Sequence, residues 1–372
     1  MRRPDYIFVL LLGAYALFGL MMLTSATGPV AFQKFGDAYW YLKHQVVYGL
    51  LPGLFVFVAA WRLDYRLWRR FAGPAFAVAL ILLTLVFIPA LQSDWGTSRS
   101  WISIGGRSLQ PVEIVKLLLT IFLAERFSRA ASEDSAGVGA SLWPFLAALG
   151  AVALLLMLQP DLGGLAVIAV MAGVMYFAAG APGKHLIGLL AAGAVGSFLL
   201  IRSAPYRAAR LMTFLHPEND PQGIGYHINQ AYLAIGTGGW FGLGLGHSRQ
   251  KYLYLPEVPG DSIFAVVVEE LGFVLAVAVL VLIGAIVWRG LRIASEAPDG
   301  FGRLLTTGIV AWFAAQALFN IGSMTGIFPI TGLALPLVSY GGTAYFALLA
   351  ALGVVLNVSA AAGPVSPAAA RR

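Results

Sequence analysis

The 372-residue chain is 59% hydrophobic and 11% charged, with a mean hydropathy of +0.81, which excludes an ordinary soluble domain and indicates a polytopic membrane protein. With no cysteine, it has no disulfide, thiol nucleophile, thiolate zinc site or iron–sulfur cluster. The formal charge of +7 comes from basic residues in short loops between apolar runs, a pattern that serves membrane orientation and contact with anionic lipids rather than nucleic acid.

A bilayer core of ~30 Å is crossed by about 20 helical residues. In chain order, ten runs meet that length: 6–24, 43–60, 71–90, 111–127, 142–159, 162–179, 185–201, 262–288, 303–326 and 343–361. The expected fold is therefore an all-α polytopic membrane protein with about ten transmembrane helices. Met-Arg-Arg and the small residues Thr24-Ser25-Ala26 flank the first run as in a secretory leader, but its length and the spans that follow favour an uncleaved helix. Pro160 in "QPDLGG" (159–164) predicts a tight turn between the fifth and sixth spans. With the N-terminus inside, Arg62, Arg66, Arg69, Arg70, Arg126, Arg129, Lys184, Arg289, Arg292 and Arg303 are cytoplasmic, while the short outer loops hold Lys34, Lys43, Arg99 and Arg107. That asymmetry predicts an N-in, C-in topology. It sends the Gly- and Pro-rich stretches 93–116, 159–164, 328–344 and a large loop, 202–261, to the extracytoplasmic side, where such polar segments serve a site.

Asp261 stands where the eighth span begins. A carboxylate there caps the free N–H groups of the first turn, or it acts as a general base at the edge of water, where partial desolvation favours taking a proton. Glu269 lies eight residues on, about 12 Å deeper on nearly the same face, and needs a hydrogen-bond partner or a wet cavity; Glu270 points elsewhere. Glu113 and Lys116 stand at i,i+3 just inside Pro111, as an ion pair or as a site for an anionic substrate. "GTGGWFGLGLGHSRQK" (236–251) lacks the GKS/T of a nucleotide loop, yet its glycine N–H groups, with Arg249 and Lys251, suit a pyrophosphate. "YHINQAYLAI" (226–235) reads as an amphipathic interfacial piece. The five histidines, His44, His185, His216, His227 and His247, show no metal-ligand spacing.

Taken together, "RSWISIGGRSLQPVEIVK", "QPDLGG", "TFLHPENDPQGIGYHINQAYLAIGTGGWFGLGLGHSRQKYLYLPE", "FAVVVEELGF" and "GIFPITGLALPLVSYGGTA" resemble, in order and over nearly the whole chain, the SEDS (shape, elongation, division and sporulation) family of FtsW, RodA and SpoVE. "RPDY", "KFGDAYWYLKHQ" and "RLDYRLWRRFA" lean toward the FtsW branch. The resemblance implies a single membrane domain over 1–372 in a bacterial cytoplasmic membrane, polymerising lipid II on its outer face for cell division or cell shape. A class B penicillin-binding transpeptidase is the implied protein partner. The family's essential aspartate aligns with Asp261, although "LPEVPGDSIFA" has Pro259-Gly260 and Ser262 where the family motif has other residues. Its Gln-Pro-Ser-Glu reads "QPVE", keeping Glu113 and, beyond it, Lys116.

The expected activity is a peptidoglycan glycosyltransferase. Asp261 takes the proton from the GlcNAc 4-hydroxyl of one lipid II as it attacks the MurNAc anomeric carbon of the growing chain. Arg210, Arg249, Lys251 and Lys116, alone or together with a divalent cation (Mg or Mn), meet the departing pyrophosphate. Two other classes stay open: a lipid II flippase using Lys116, Glu269 and Glu270 as a headgroup path, and a noncatalytic scaffold that recruits a transpeptidase.

Overall fold

In the computed structural model, residues 4–92, 100–132, 142–202, 205–220 and 223–361 are described. The chain forms helices α1 (Tyr6–Phe35), α2 (Trp40–Arg62) and α3 (Ala72–Leu85), then a hairpin of β1 (Ile102–Ile104) and β2 (Arg107–Leu109). Next come α4 (Pro111–Ser132), α5 (Leu142–Leu158), α6 (Leu162–Ala178) and α7 (Gly183–Arg202). Two helices, α8 (Pro205–Leu215) and α9 (Ile224–Gly238), fill the long polar segment, and α10 (Ile263–Ser295), α11 (Gly300–Met324) and α12 (Gly342–Ala361) complete the bundle. Among the described residues five helices, α1, α2, α10, α11 and α12, are long and apolar enough to cross a membrane, and shorter apolar helices lie at α3, α5, α6 and within α7.

Local chemistry sets the ends. Asp5 accepts from the Phe8 N–H to start α1, and Gly36 ends it in the left-handed region at φ 71°. This helix runs eleven residues beyond the expected 6–24, since hydropathy falls before helical structure does and Pro29 is tolerated within it. Asp161 caps α6 through the Gly164 N–H, which makes "QPDLGG" the tight turn its proline predicts. The segment 226–235 lies within α9, and segment 93–99 lies outside the described residues.

One end of the bundle is closed by charge. Arg289 at the foot of α10 pairs with Asp5 at 2.7 Å, the Asp5 N–H donates to Ser359, Arg66 and Tyr65 meet Asp299, and Arg69 meets Glu125. Asn357 of α12 accepts from the Tyr65 N–H and donates to the Trp61 carbonyl. The opposite end is closed by loops. Gln159 donates to the Leu83 carbonyl, its own carbonyl accepts from Ser100, and the Gln110 N–H reaches Thr343. Between them lies one large apolar core in which α11 is central, buried along nearly its whole length.

Close helix contacts need glycine at particular points. A Cβ on Gly353 of α12 would sit 2.4 Å from the Phe57 carbonyl oxygen of α2, whereas one on Gly13 of α1 would meet nothing within 4 Å. Gly353→Ala is therefore expected to lower stability by about 1–3 kcal/mol through overpacking, and Gly13→Ala to leave it unchanged. Thermal unfolding of both variants in one detergent checks the contrast.

Candidate functional site

α11 carries a column of polar side chains through the apolar core. Trp312, Gln316 and Asn320 are spaced by four residues and so share a face, and all three are buried. Gln316 Oε1 accepts from Lys116 Nζ at 2.8 Å and from the Trp312 indole N–H, while its amide nitrogen donates to the Ala334 carbonyl. One turn on, the Asn320 amide nitrogen donates to two carbonyls, Asp261 at 2.8 Å and Leu333 at 2.7 Å. These two amides thus join α4, the loop that carries Asp261 and the loop 333–341.

Glu113 and Lys116 form the ion pair their spacing predicts, at 2.7 Å and almost wholly out of solvent. A buried pair of this kind is stable only with further partners; Gln316 and the Trp312 ring, 5.4 Å from Nζ, provide them for the ammonium. Val112, where the family motif has serine, is buried and packs in the core. Asp161 lies close enough to feel both charges, and burial pushes its carboxyl up.

A small cleft with room for about one water molecule opens beside this pair, lined by Glu113, Gln316, residues 334–337, Ser339, Gly341 and Tyr345. Its rim is braced by α2, which widens to a π-helical turn at Gln45–Leu50. Gln45 donates to the Ser339 carbonyl and accepts from the Gly341 N–H. Glu113 Oε2 and the Tyr345 hydroxyl, both in the lining, and Asn320 Oδ1 are buried without a hydrogen-bond partner among the described residues. Each such atom costs about 1–3 kcal/mol, so the two in the cleft lining mark a place that a polar ligand or water completes.

Asp261 is almost fully buried, in the turn before α10. It does not cap the helix: Ser262 occupies the N-cap position, with no side-chain cap bond, because the chain is still turning at 261. The turn is held by Gly260 and Ser262 N–H groups on the Glu257 carbonyl, the Ser262 hydroxyl on the Pro256 carbonyl, and the Tyr340 N–H on the Pro259 carbonyl. Pro259-Gly260 and Ser262 are thus parts of an ordered turn. His227 of α9 meets Ser262 Oγ at 2.6 Å. Since that hydroxyl donates to Pro256, the neutral ring donates to it.

Glu269 and Lys251 are engaged by other parts of the chain. Glu269 is fully buried and accepts from Ser248 Oγ and from the Arg249 and Gln250 N–H groups, which leaves no face for a substrate. Lys251 is buried against Glu270 at 2.7 Å and donates to the Ser25 carbonyl. In the glycine-rich run the Gly242, Leu243 and Gly244 N–H groups donate to the carbonyls of Gly238, Glu269 and Glu270 and are not open to a pyrophosphate. The Arg249 side chain is exposed, and Arg210 lies in α8. Among the described residues no three His, Asp or Glu side chains converge to hold a metal ion by themselves.

The family model of the FtsW/RodA/SpoVE cell cycle proteins matches residues 5–363. The chain belongs to that family. Stage V sporulation protein E of Bacillus subtilis (strain 168) is 40% identical over 359 residues, covering 96% of this chain and 97% of that protein. A probable peptidoglycan glycosyltransferase FtsW of Trichlorobacter lovleyi is also 40% identical, over 366 residues, with 96% and 94% covered. Among solved structures, a chain of a peptidoglycan synthase complex that coordinates polymerization and crosslinking superposes with a TM-score of 0.79 at 29% identity, covering 96% and 97%. The crystal structure of the rod shape determining protein RodA of Thermus thermophilus gives 0.70 at 29% identity over 96% of both chains.

Of the residues at this candidate site, Gln316, Asn320, Gln45 and His227 tie its elements together and Tyr345 lines the cleft, and none of them stands in a motif that marks a site. Gln316 and Asn320 carried a usable signal, two amides four residues apart within a span; the others become visible only when distant loops meet.

Asn320→Ala removes both amide bonds and orphans two buried carbonyls, so unfolding free energy is expected to fall by about 1–3 kcal/mol. Burial pushes the His227 imidazole from 6.5 down to about 4. The unfolded chain therefore binds the proton first, and stability is full above pH 6.5 and falls as pH drops toward 4, by up to about 3 kcal/mol. His227→Gln, which keeps a donor for Ser262, is expected to flatten the unfolding midpoint between pH 7.5 and 5.

Proposed function

We propose that this chain is a peptidoglycan glycosyltransferase that polymerises lipid II on the outer face of the bacterial cytoplasmic membrane, with Asp261 as its general base. The observation that carries the reading is the clamp of Asn320 on the Asp261 carbonyl, which fixes an almost buried carboxylate-bearing turn to α11, one helical turn from Gln316 in the cleft lining. The full-length kinship with proteins named as glycosyltransferases supports it.

In this reading the chain is a single membrane domain over 1–372 with ten spans: α1 to α7 and α10 to α12. Both termini are cytoplasmic, and 202–261 is an extracytoplasmic loop holding α8 and α9. The cluster of Arg66, Arg69, Arg289 and Arg292 at one end of the bundle supports that orientation. Asp261 takes the hydrogen of the acceptor sugar's 4-hydroxyl as that oxygen bonds to the donor's anomeric carbon and the bond to pyrophosphate breaks. A single displacement inverts an α-linked donor into a β-1,4 link and needs one base rather than the two carboxylates of a retaining hydrolase. Lys116, held beneath the cleft, and Arg210 and Arg249, on the loop side, supply positive charge to the departing lipid pyrophosphate. Glu113 fixes Lys116 and presents its second oxygen to the cleft. A class B penicillin-binding transpeptidase is the partner we assign, by extension from the similar chain solved in a peptidoglycan synthase complex that coordinates polymerization and crosslinking.

Purified protein in liposomes with labelled lipid II tests this. Wild type is expected to give glycan chains and Asp261→Ala to lose them by more than about 100-fold, the scale of general-base catalysis, with an unchanged unfolding midpoint. Headgroup translocation without chains would instead support a flippase, neither activity a scaffold, and full activity of Asp261→Ala would remove the base assignment.

A further inference from the structure

α10 is broken at Gly272, whose φ of 78° and ψ of 175° leave the helical region. In a continuous helix the Phe273 and Val274 N–H groups would donate to the Glu269 and Glu270 carbonyls. Here Phe273 donates to the Gly239 carbonyl and Val274 to the Trp240 carbonyl, while the Glu269 and Glu270 carbonyls accept from Leu243 and Gly244. The two donors and two acceptors released by the break are each answered by the segment 239–244. Glycine is what permits the approach: a Cβ on Gly238 would lie 2.2 Å from the Val268 oxygen, one on Gly242 2.2 Å from the Glu270 oxygen, and one on Gly272 2.3 Å from the Gly242 nitrogen.

With its backbone paired in this way, the segment turns apolar side chains outward. Trp240 is 67% exposed and Phe241 83%, with Leu243 and Leu245 also exposed, and the Trp240 ring packs edge-on against Phe273. No acidic or basic side chain other than His247 occurs from Ala231 to Ser248. Below the break the same apolar exposure continues down α10 through Phe273, Val274, Leu275, Val281 and Trp288 to Arg289. Above it, Ile263–Glu270 are all buried in protein. Phe273 stands sixteen residues from Arg289, about 24 Å along the axis, against ~30 Å for a hydrocarbon core. That length leaves Phe273 about 6 Å short of the far edge of such a core, with the tip on the exposed face of α10.

We propose that residues 239–245 form a re-entrant segment seated in the outer leaflet, with Trp240, Phe241 and Leu243 in contact with lipid acyl chains. The occupant of this surface is the bilayer, because the patch is continuous with the lipid-facing side of a span. Pairing of the Gly242, Leu243 and Gly244 N–H groups and of the Gly239 and Trp240 carbonyls lowers the cost of backbone at that depth, and the tryptophan suits the interface.

The cysteine-free sequence gives each single cysteine a unique handle. Phe241→Cys and Leu243→Cys carry a nitroxide in lipid nanodiscs, with Val281→Cys as the mid-span reference and Lys34→Cys as the exposed aqueous reference. Collisions with oxygen are expected to exceed those with a water-soluble nickel complex at 241 and 243, as at 281, together with loss of labelling by a membrane-impermeant maleimide. Nickel-dominated collisions and full maleimide labelling at both positions, as at 34, would overturn the proposal and would point to a protein partner absent from the nanodisc. Two positions are used so that poor folding of one variant does not decide the result. The readout needs no lipid II, so its failure is separate from that of the glycosyltransferase reading.

Discussion

A chain that brings loops into an apolar bundle must answer every carbonyl it buries, and in this protein the answer comes from two side-chain amides on α11. Gln316 and Asn320 are one helical turn apart. Between them they hold the Ala334, Leu333 and Asp261 carbonyls and the Lys116 ammonium. Each bond is modest in net terms, about 1 kcal/mol, but the alternative is an orphaned group in hydrocarbon, which costs more. The cleft, the ion pair beneath it and the aspartate turn beside it therefore have one common support.

That support separates two kinds of buried charge. Glu113 and Lys116 reach the cleft lining or lie directly behind it, and one carboxylate oxygen still lacks a partner among the described residues. Glu269, Glu270 and Lys251 are equally buried but answered by Ser248, Ser25 and backbone, so their role is to fasten the segment 248–251 to α10 and α1. Burial alone does not identify a site in a membrane protein; an unanswered atom facing a cleft does so far better.

Much of this was legible in the chain itself. The apolar runs mark the long helices because a span needs some twenty uninterrupted apolar residues, and the i,i+3 spacing of Glu113 and Lys116 foretells their pairing. Asp161 and Pro160 announce a turn that the structure contains. What could not be read were contacts fixed by tertiary approach. Glycine 242 looks like a phosphate-loop residue until Glu270 is seen 2.2 Å from where its Cβ would be. Glu269 looks like a solitary membrane carboxylate until residues 248–250, nineteen to twenty-one positions upstream, are seen to fold back on it. The α1 helix outlasts its apolar run because Gln33 and Lys34 continue a helix that hydropathy no longer marks.

The interruption at Gly272 makes α10 two rods rather than one. The longer rod, Phe273 to Ser295, turns apolar side chains outward along much of its length. The outer rod, Ile263 to Leu271, is fastened sideways to the protein and carries Asp261 at its head. The place of the carboxylate is therefore set by contacts within the protein, those of segment 239–244 and of the buried run Ile263–Glu270.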